Sequence, residues 1–508
     1  MKKLNLFFIG ILSVSFVYAQ DLTDAIRYSE DEIQGTARFR AMSGAFGALG
    51  GDMSAVSLNP AGSAVFAQSH ASFTLSNMDI KNKTHYFNGL TNSKENDFDL
   101  NQGGASFVFA SRSNSPWKKF SVGIAYEKTN SHDNYWRAIG LNNLNDPSYS
   151  NSIASYFYDY ADGKRLDEIS ALPEETLSEA YREIGRIYGY GHQQGFLGFE
   201  SFILEPDDIN NDGNTTYFSN INPGSFDHDY SYITRGYNGK ITFNMAAQYE
   251  ESVYLGLNLN THFIDYNRTT LLFEYNDNPG SLVNDVEFEN NLTAYGNGFS
   301  FQLGGIFKLG PGLRLGVTYD SPTWYTIEER TSQYLATDGD AGFIEIYPEI
   351  TNIYPRYRLK TPSKLKGSLA YVFGTHGLIS FDYSRKDYSN TKFKPGYDFT
   401  ELNDDVNNFL AATNSYRVGG EYKIERLSLR GGYRFEESPY NDNITLGDLN
   451  GYSFGLGYNF GNVKLDVTYD YFERSEINNL YNLYYDTPPS ASTDHKNNRV
   501  SLSLCFNI

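Results

Sequence analysis

The sequence predicts an all-β fold: a 14-stranded antiparallel transmembrane β-barrel with an N-terminal plug and a long, partly helical extracellular insertion. Three observations carry this reading. Apolar residues recur at every second position in about fourteen runs, the connectors between runs alternate between short and long, and the chain opens with an export segment. A period of two places one set of side chains on each face of a strand. Ile241, Phe243, Met245, Ala247 and Tyr249 share one face, while Lys240, Thr242, Asn244, Gln248 and Glu250 take the other. An apolar and a polar face repeated around a closed sheet suit a barrel standing in lipid, whereas a soluble sandwich turns the apolar face inward. Alternation alone fits both, so the N-terminus and the loops decide.

Residues 1–19 read as a signal peptide. Lys2 and Lys3 precede the apolar stretch Leu4 to Val17, and Val17-Tyr18-Ala19 forms a small-residue cleavage site before Gln20. No later segment holds enough consecutive apolar residues for a membrane-spanning helix. The aromatic content (42 Tyr, 36 Phe) suits girdles at two membrane interfaces. A mean hydropathy of −0.49 is compatible with insertion, because a barrel strand is only half apolar. A formal charge of −20 argues against a nucleic-acid partner.

Residues 20–68 read as a plug. From Ala41 to Ala64, fifteen of twenty-four residues are Gly, Ala or Ser, too glycine-rich for a stable isolated helix and too apolar for a disordered linker. Asn59-Pro60 followed by Ala61-Gly62 sets a fixed turn, since proline fixes its own φ and restricts the residue before it.

Residues 69–508 supply the barrel. Alternation places strands near 70–80, 103–111, 119–129, 238–250, 252–268, 296–308, 312–328, 358–373, 377–388, 415–424, 426–436, 451–460, 462–473 and 496–508. Connectors after even-numbered strands are short. Those after odd-numbered strands are long and polar, near 81–102, 130–237, 269–295, 329–357, 389–414, 437–450 and 474–495. Short periplasmic turns and longer outer loops are the asymmetry of a membrane barrel. An even strand count returns the C-terminus to the side where the barrel began. His262 falls at a lumen position of the fifth strand and is expected to be hydrogen-bonded there, and Cys505 reads as a small lumen residue.

The insertion near 130–237 contains one helical pattern. Pro173-Glu174-Glu175 suits a first helical turn, and Leu177, Tyr181, Ile184 and Tyr188 follow as one apolar stripe. Such a stripe either lines an apolar capture groove over the barrel mouth or packs against the rest of the loop. Asp208, Asn210 and Asp212, with Gly213, have the opening spacing of a calcium loop, but position 12 is Ser219, so a polar turn is the simpler expectation and no metal site is assigned. No nucleophile elbow, zinc pair or phosphate loop is present. Asp227-His228-Asp229 puts acid beside base on an extracellular loop, yet adjacent loop residues usually point apart, so neither an enzyme nor a cofactor is expected.

The motifs G-T-A-R (Gly35 to Arg38), A-F-G-A-L-G-G-D (Ala45 to Asp52) and S-L-N-P-A-G (Ser57 to Gly62) resemble the N-terminal hatch of the FadL-type outer-membrane transporters, in a branch like that of Bacteroidetes. The resemblance extends over most of the chain after the signal peptide, and departs most in the insertion. It implies a cell outer-membrane location and passage of hydrophobic molecules, long-chain fatty acids or hydrocarbons, past a gating hatch that includes Asn59, Pro60, Ala61 and Gly62. It also implies an outer groove built by loop helices, here the stripe Leu177, Tyr181, Ile184 and Tyr188, and a lateral opening at a kink in the third strand. Gly123 is the only glycine of that strand, Lys119 to Thr129. The partners implied are hydrophobic small molecules and outer-membrane lipid, while the oligomeric state is left open. The same barrel could instead serve as a non-transporting subunit of an outer-membrane assembly or secretion complex.

Overall fold

The structure is a computed structural model that describes residues 20–111, 114–144, 151–483 and 487–508. Fourteen antiparallel strands form the wall. They are β1 (His70–Tyr86), β2 (Gly89–Ala110), β3 (Trp117–Ser131, continuing as Asn134–Asn142), β4 (Phe226–Tyr249), β5 (Val253–Tyr275), β6 (Val283–Lys308) and β7 (Leu313–Asp320, continuing as Trp324–Gly339). The circuit continues with β8 (Tyr357–Lys360 and Lys364–Val372), β9 (Gly377–Asp387), β10 (Ala412–Ile424), β11 (Leu427–Glu436), β12 (Leu449–Asn459), β13 (Val463–Asn479) and β14 (Ser490–Asn507). β1 pairs with β14 from His70↔Asn507 to His85↔Ser492, which closes the sheet on itself and removes its free edges. Among the described residues no helix is long and apolar enough to cross a membrane.

All fourteen expected strands are present, but several run much further than alternation suggested. β4, β5 and β6 have 24, 23 and 26 residues. The segment 81–102, expected as a long loop, is instead the upper half of a hairpin that turns at Phe87-Asn88. The insertion likewise begins and ends in strand, because Asn134–Asn142 pairs with Thr234–Phe226. The reason is a change of phase within each strand. In the lower half of β6, Phe299 and Leu303 are exposed while Ser300 and Gln302 are buried. In its upper half Phe288, Leu292 and Ala294 are buried, and Glu287 and Glu289 lie on the outer face. Below, the outside solvent is lipid and polar groups turn in; above, it is water and apolar groups turn in. One apolar phase therefore ends where the environment changes, short of the end of the strand.

Residues 21–68 lie inside this ring and touch it all round. They form three short helices, α1 (Leu22–Arg27), α2 (Ala37–Ala41) and α3 (Met53–Leu58), then a tight turn over Pro60–Val65. A Cβ added at Gly256, Gly304, Gly316, Gly419, Gly432 or Gly455 would come within 3.0 Å of this segment, at Pro60, Asn59, Gly47, Met42, Met42 and Ala41 respectively. Six strands thus give up a side chain so that another backbone can approach. Elsewhere short polar side chains do the same: Ser121 Oγ lies 2.8 Å from Ser63 Oγ, and Ser503 Oγ accepts from Ala37 N at 2.6 Å.

Few regular ladders exist within the segment, so the wall satisfies its backbone groups. Asp382 accepts from Phe46 N (3.1 Å) and Gly47 N (2.9 Å), Asn258 donates to Val56 O (2.9 Å), and Gln302 donates to Ser57 O (3.1 Å). Ion pairs supplement these bonds. Arg40, 1% exposed, forks onto Asp470 at 2.9 Å, and Arg38 binds Glu421 at 2.8 Å. Glu421 is shared with Arg430, which also holds Asp466 at 2.6 Å. Buried pairs of this kind add little net stability but are costly to break, about 3–5 kcal/mol for loss of one partner.

Two outcomes follow for the internal segment. Gly432→Val places two methyl groups where Met42 lies, and overpacking of this kind costs about 1–3 kcal/mol. Limited proteolysis should then cut within residues 21–68 while the barrel keeps its heat-modifiable mobility in SDS gels. Arg40→Ala should open the same cleavage sites by stranding Asp470, whereas an unchanged cleavage pattern in both variants would show that the wall does not hold the segment.

Candidate functional site

A cavity of about 1550 Å³ lies between the top of the internal segment, the upper strands and the outer loops. It exceeds the roughly 300–1,000 Å³ usual for small-molecule sites. Leu22, Ile26 and Arg27 of α1 contribute to its lining, as do Tyr230, Tyr232, Tyr266 and Leu272 of the strands and, from the insertion, Tyr156, Tyr160 and Tyr190, the last opening α6 (Tyr190–Glu200). The lining also includes Phe399, Leu402 and Phe409, on and beside α7 (Thr400–Phe409).

The insertion is fixed over the cavity by a polar relay on the rim. His228, 1% exposed, sits between Tyr86 Oη (2.6 Å) and Glu274 (2.8 Å). Glu274 in turn accepts from Ser152 Oγ (2.6 Å) and Ile153 N (2.8 Å), at the start of α4 (Ala154–Ala161). Asp229 faces the other way, toward Arg137, so the acid–base sequence at Asp227–Asp229 does not converge. Sequence reasoning missed Glu274; its one clue is a carboxylate at an inward position.

α5 (Leu177–Tyr188) starts later than Pro173-Glu174-Glu175 suggested. Thr176 and Glu179 form a reciprocal capping box, Thr176 Oγ1 accepting from Glu179 N at 3.2 Å and Thr176 N donating to Glu179 at 3.0 Å. Those bonds satisfy the first free donors, so Pro173–Glu175 lie outside as a turn. The stripe packs inward: Tyr181 and Ile184 are buried with Phe157, Phe196 and Leu204, and Leu177 and Tyr188 pack on that core. None of the four lines the cavity. Tyr181 reaches it through one neighbour, donating to Gln333 at 2.8 Å, and Gln333 does line the cavity.

Asn59 donates to Gly47 O (2.7 Å) and Gly305 O (3.1 Å) while its own oxygen accepts from Ala61 N (3.2 Å). Pro60 O accepts from Asn244 at 2.9 Å, and Ala61 and Gly62 are buried beneath β4 to β6. His262 hydrogen-bonds Ser300 Oγ at 2.8 Å, and Cys505 is buried. In the loop at Asp208, Asn210 N donates to Asp208 (3.0 Å) and Gly213 N to Asn211 (3.1 Å), the bonding of a polar turn. Among the described residues no group of three or more His, Cys, Asp or Glu side chains could hold a metal.

Among the described residues the wall has one seam. Pairing of β2 with β3 runs from Ala110↔Lys119 through Ser106↔Gly123 and stops at Gln102↔Glu127. Gly123 also pairs with Asn244 of β4, so the ladder is unbroken on both sides of it. The break lies higher, where Asn101 is an extra residue against β1 and β3 shifts register between Lys128 and Asn130. Above it, side chains alone join the two strands: Lys128 to Asp97 (2.9 Å) and Asp99, and Ser93 Oγ to Tyr135 O (2.6 Å). The internal segment backs the seam. Glu32 N donates to Thr129 O (3.0 Å), Gly35 N donates to Asn101 Oδ1 (2.6 Å), and Asn101 donates to Gln34.

A family model described as outer membrane protein transport protein (OMPP1/FadL/TodX) matches residues 211–491, more than half of the chain. No curated protein matches the sequence. Among solved structures, a Pseudomonas aeruginosa FadL homologue aligns with 12% identity and a TM-score of 0.54, covering 94% of this chain and 99% of the other. The Pseudomonas putida toluene transporter TodX aligns with 13% identity and a TM-score of 0.51, covering 94% and 99%. At such identities the likeness speaks for the fold, and the sequence match supplies the kinship. A closed barrel, an internal segment and a family match thus lead to one statement: the chain belongs to the OMPP1/FadL/TodX family of outer-membrane transport proteins.

Proposed function

We propose that the protein passes hydrophobic small molecules through the outer membrane by way of the cavity above the internal segment, and that this segment is a hatch. The observation that carries the reading is the pairing of a large aromatic cavity with a wall seam held by side chains alone. A hydrophobic molecule gains about 0.8 kcal/mol for each CH₂ it buries, so a cavity offering tyrosine faces and Leu22, Ile26 and Leu272 competes with aggregation in water. Its size admits the acyl chain of a long-chain fatty acid, the substrate that the family resemblance implies. Tyr181 and Ile184 act from behind, since their packing sets the positions of Gln333 and Tyr190.

Exit runs through the seam toward the lipid. Parting β2 from β3 above Gln102 breaks side-chain contacts and no backbone ladder, and its main cost is the separation of buried Lys128 from Asp97 and Asp99. Residues 32–35 must withdraw from Thr129 and Asn101 for the cavity to reach the seam. Asn59, Pro60, Ala61 and Gly62 supply the fixed end of this motion, tied to β4 and β6 and seated against Gly256 of β5.

Uptake of labelled oleate and of a small aromatic hydrocarbon into proteoliposomes tests the reading. Intact protein should transport at least one of them, and deletion of residues 21–66 should change the rate severalfold. No protein-dependent uptake of either would overturn transport. Cysteines at Asp97 and Lys128, joined by a short bis-maleimide, should block uptake and leave ligand binding intact; full transport through the cross-linked wall would remove the seam as the exit.

A further inference from the structure

The cavity's charge is unlike that of a carboxylate receptor. Among the described residues, nine carboxylates line it against three arginines and no lysine. Each arginine is already engaged: Arg27 with Asp24, Arg268 with Asp21 at 3.7 Å, and Arg474 with Glu30. His495 is paired with Glu476 at 3.0 Å. Asp398, Glu401 and Asp405 at the α7 side form no ion pair among the described residues, and Asp398 Oδ1 is shielded from solvent without a hydrogen-bond donor. Burial, then the neighbouring Glu401 and Asp404, push the Asp405 carboxyl above its ordinary value, as expected in a negative field.

The same walls carry thirteen aromatic rings, nine of them tyrosines. Ring faces attract cations through their quadrupoles. One face already does so, with the Arg27 guanidinium 4.3 Å from the Tyr266 ring centre. An incoming carboxylate would have to displace Asp21, Asp24 or Glu30 from an arginine, leaving a stranded carboxylate that in the case of Asp24 is fully buried. An incoming cation needs no displacement: it meets unpaired carboxylates at the mouth and ring faces within.

We propose that the cavity selects hydrophobic organic cations, molecules with an alkyl or aryl body and an ammonium-type head, over fatty-acid anions of equal length. This rests on the cavity being the transport site and names the class of ligand it takes.

The test compares octyltrimethylammonium, octanol and octanoate, one chain with three head groups. Each is titrated calorimetrically into the full chain in lipid discs, with empty discs subtracted. Octyltrimethylammonium should bind about tenfold more tightly than octanoate, and the gap should shrink in high salt, which screens the exposed mouth. Glu401→Gln with Asp405→Asn, both on the exposed side of α7 and so harmless to folding, should lower the cation's advantage about threefold. Octanoate or octanol binding most tightly would overturn the selectivity while leaving transport standing. Full cation preference in the double variant would overturn the role of the mouth carboxylates. Binding of none of the three would overturn both the selectivity and the cavity as a ligand site, whereas oleate uptake tests transport separately.

Discussion

Most of this molecule depends on how closely a second backbone can approach the inner face of the wall. A strand normally projects a side chain into the lumen at every second residue, and a segment of irregular chain could not lie against it with its amides satisfied. Here the lumen side is cut away by glycine at Gly256, Gly304, Gly316, Gly419, Gly432 and Gly455, and by serine between. Main-chain groups of residues 35–62 then reach Asn101, Asp382, Asn258, Gln302 and Ser503 directly. The floor of the cavity, the backing of the seam and the burial of Arg40 all follow from that clearance.

The fourteen strands and their up-and-down order were legible from alternation, because lipid outside and polar groups inside give a clean period of two. The upper wall was not. In β1 the inward residues change from Ser72, Thr74 and Ser76 to Met78 and Ile80, so the apolar phase moves from one face to the other without a turn residue to mark it. The Asn-Pro-Ala-Gly turn could be read because proline leaves few alternatives. The stripe on α5 was visible, but its partner was not, since Phe157, Phe196 and Leu204 come from segments whose placement depends on the rim relay through Glu274. Nothing in the spacing around Gly123 separates it from Lys128, and the break is located by an extra residue in the neighbouring strand rather than by a glycine in its own.

The family's hydrophobic cargo and this cavity's composition need not point to one head group. Burial of an alkyl chain sets how strongly a ligand is held, whereas the paired arginines and unpaired carboxylates bear on which charge accompanies it. Those two properties overlap only in part. The apolar and aromatic surface comes from α1, the strands, the insertion and α7, whereas the acids without ion pairs belong to α7 and the residue before Phe399. Exchange of those acids alone would therefore alter the preferred head group while leaving the barrel and the internal segment as they are.

The extra residue at Asn101 has a consequence for parity. Below it the odd-numbered side chains Phe107 and Phe109 face outward; above it the even-numbered Phe98 and Leu100 do, and Asp97 and Asp99 turn toward Lys128. A one-residue slip that removed the bulge would send Phe98 and Leu100 inward and their neighbouring aspartates into the lipid-facing surface. The two strand edges are thus prevented from zipping together by the same residue that bonds Gly35 and Gln34 of the internal segment. The slot is a permanent flaw in the weave, spanned by side chains.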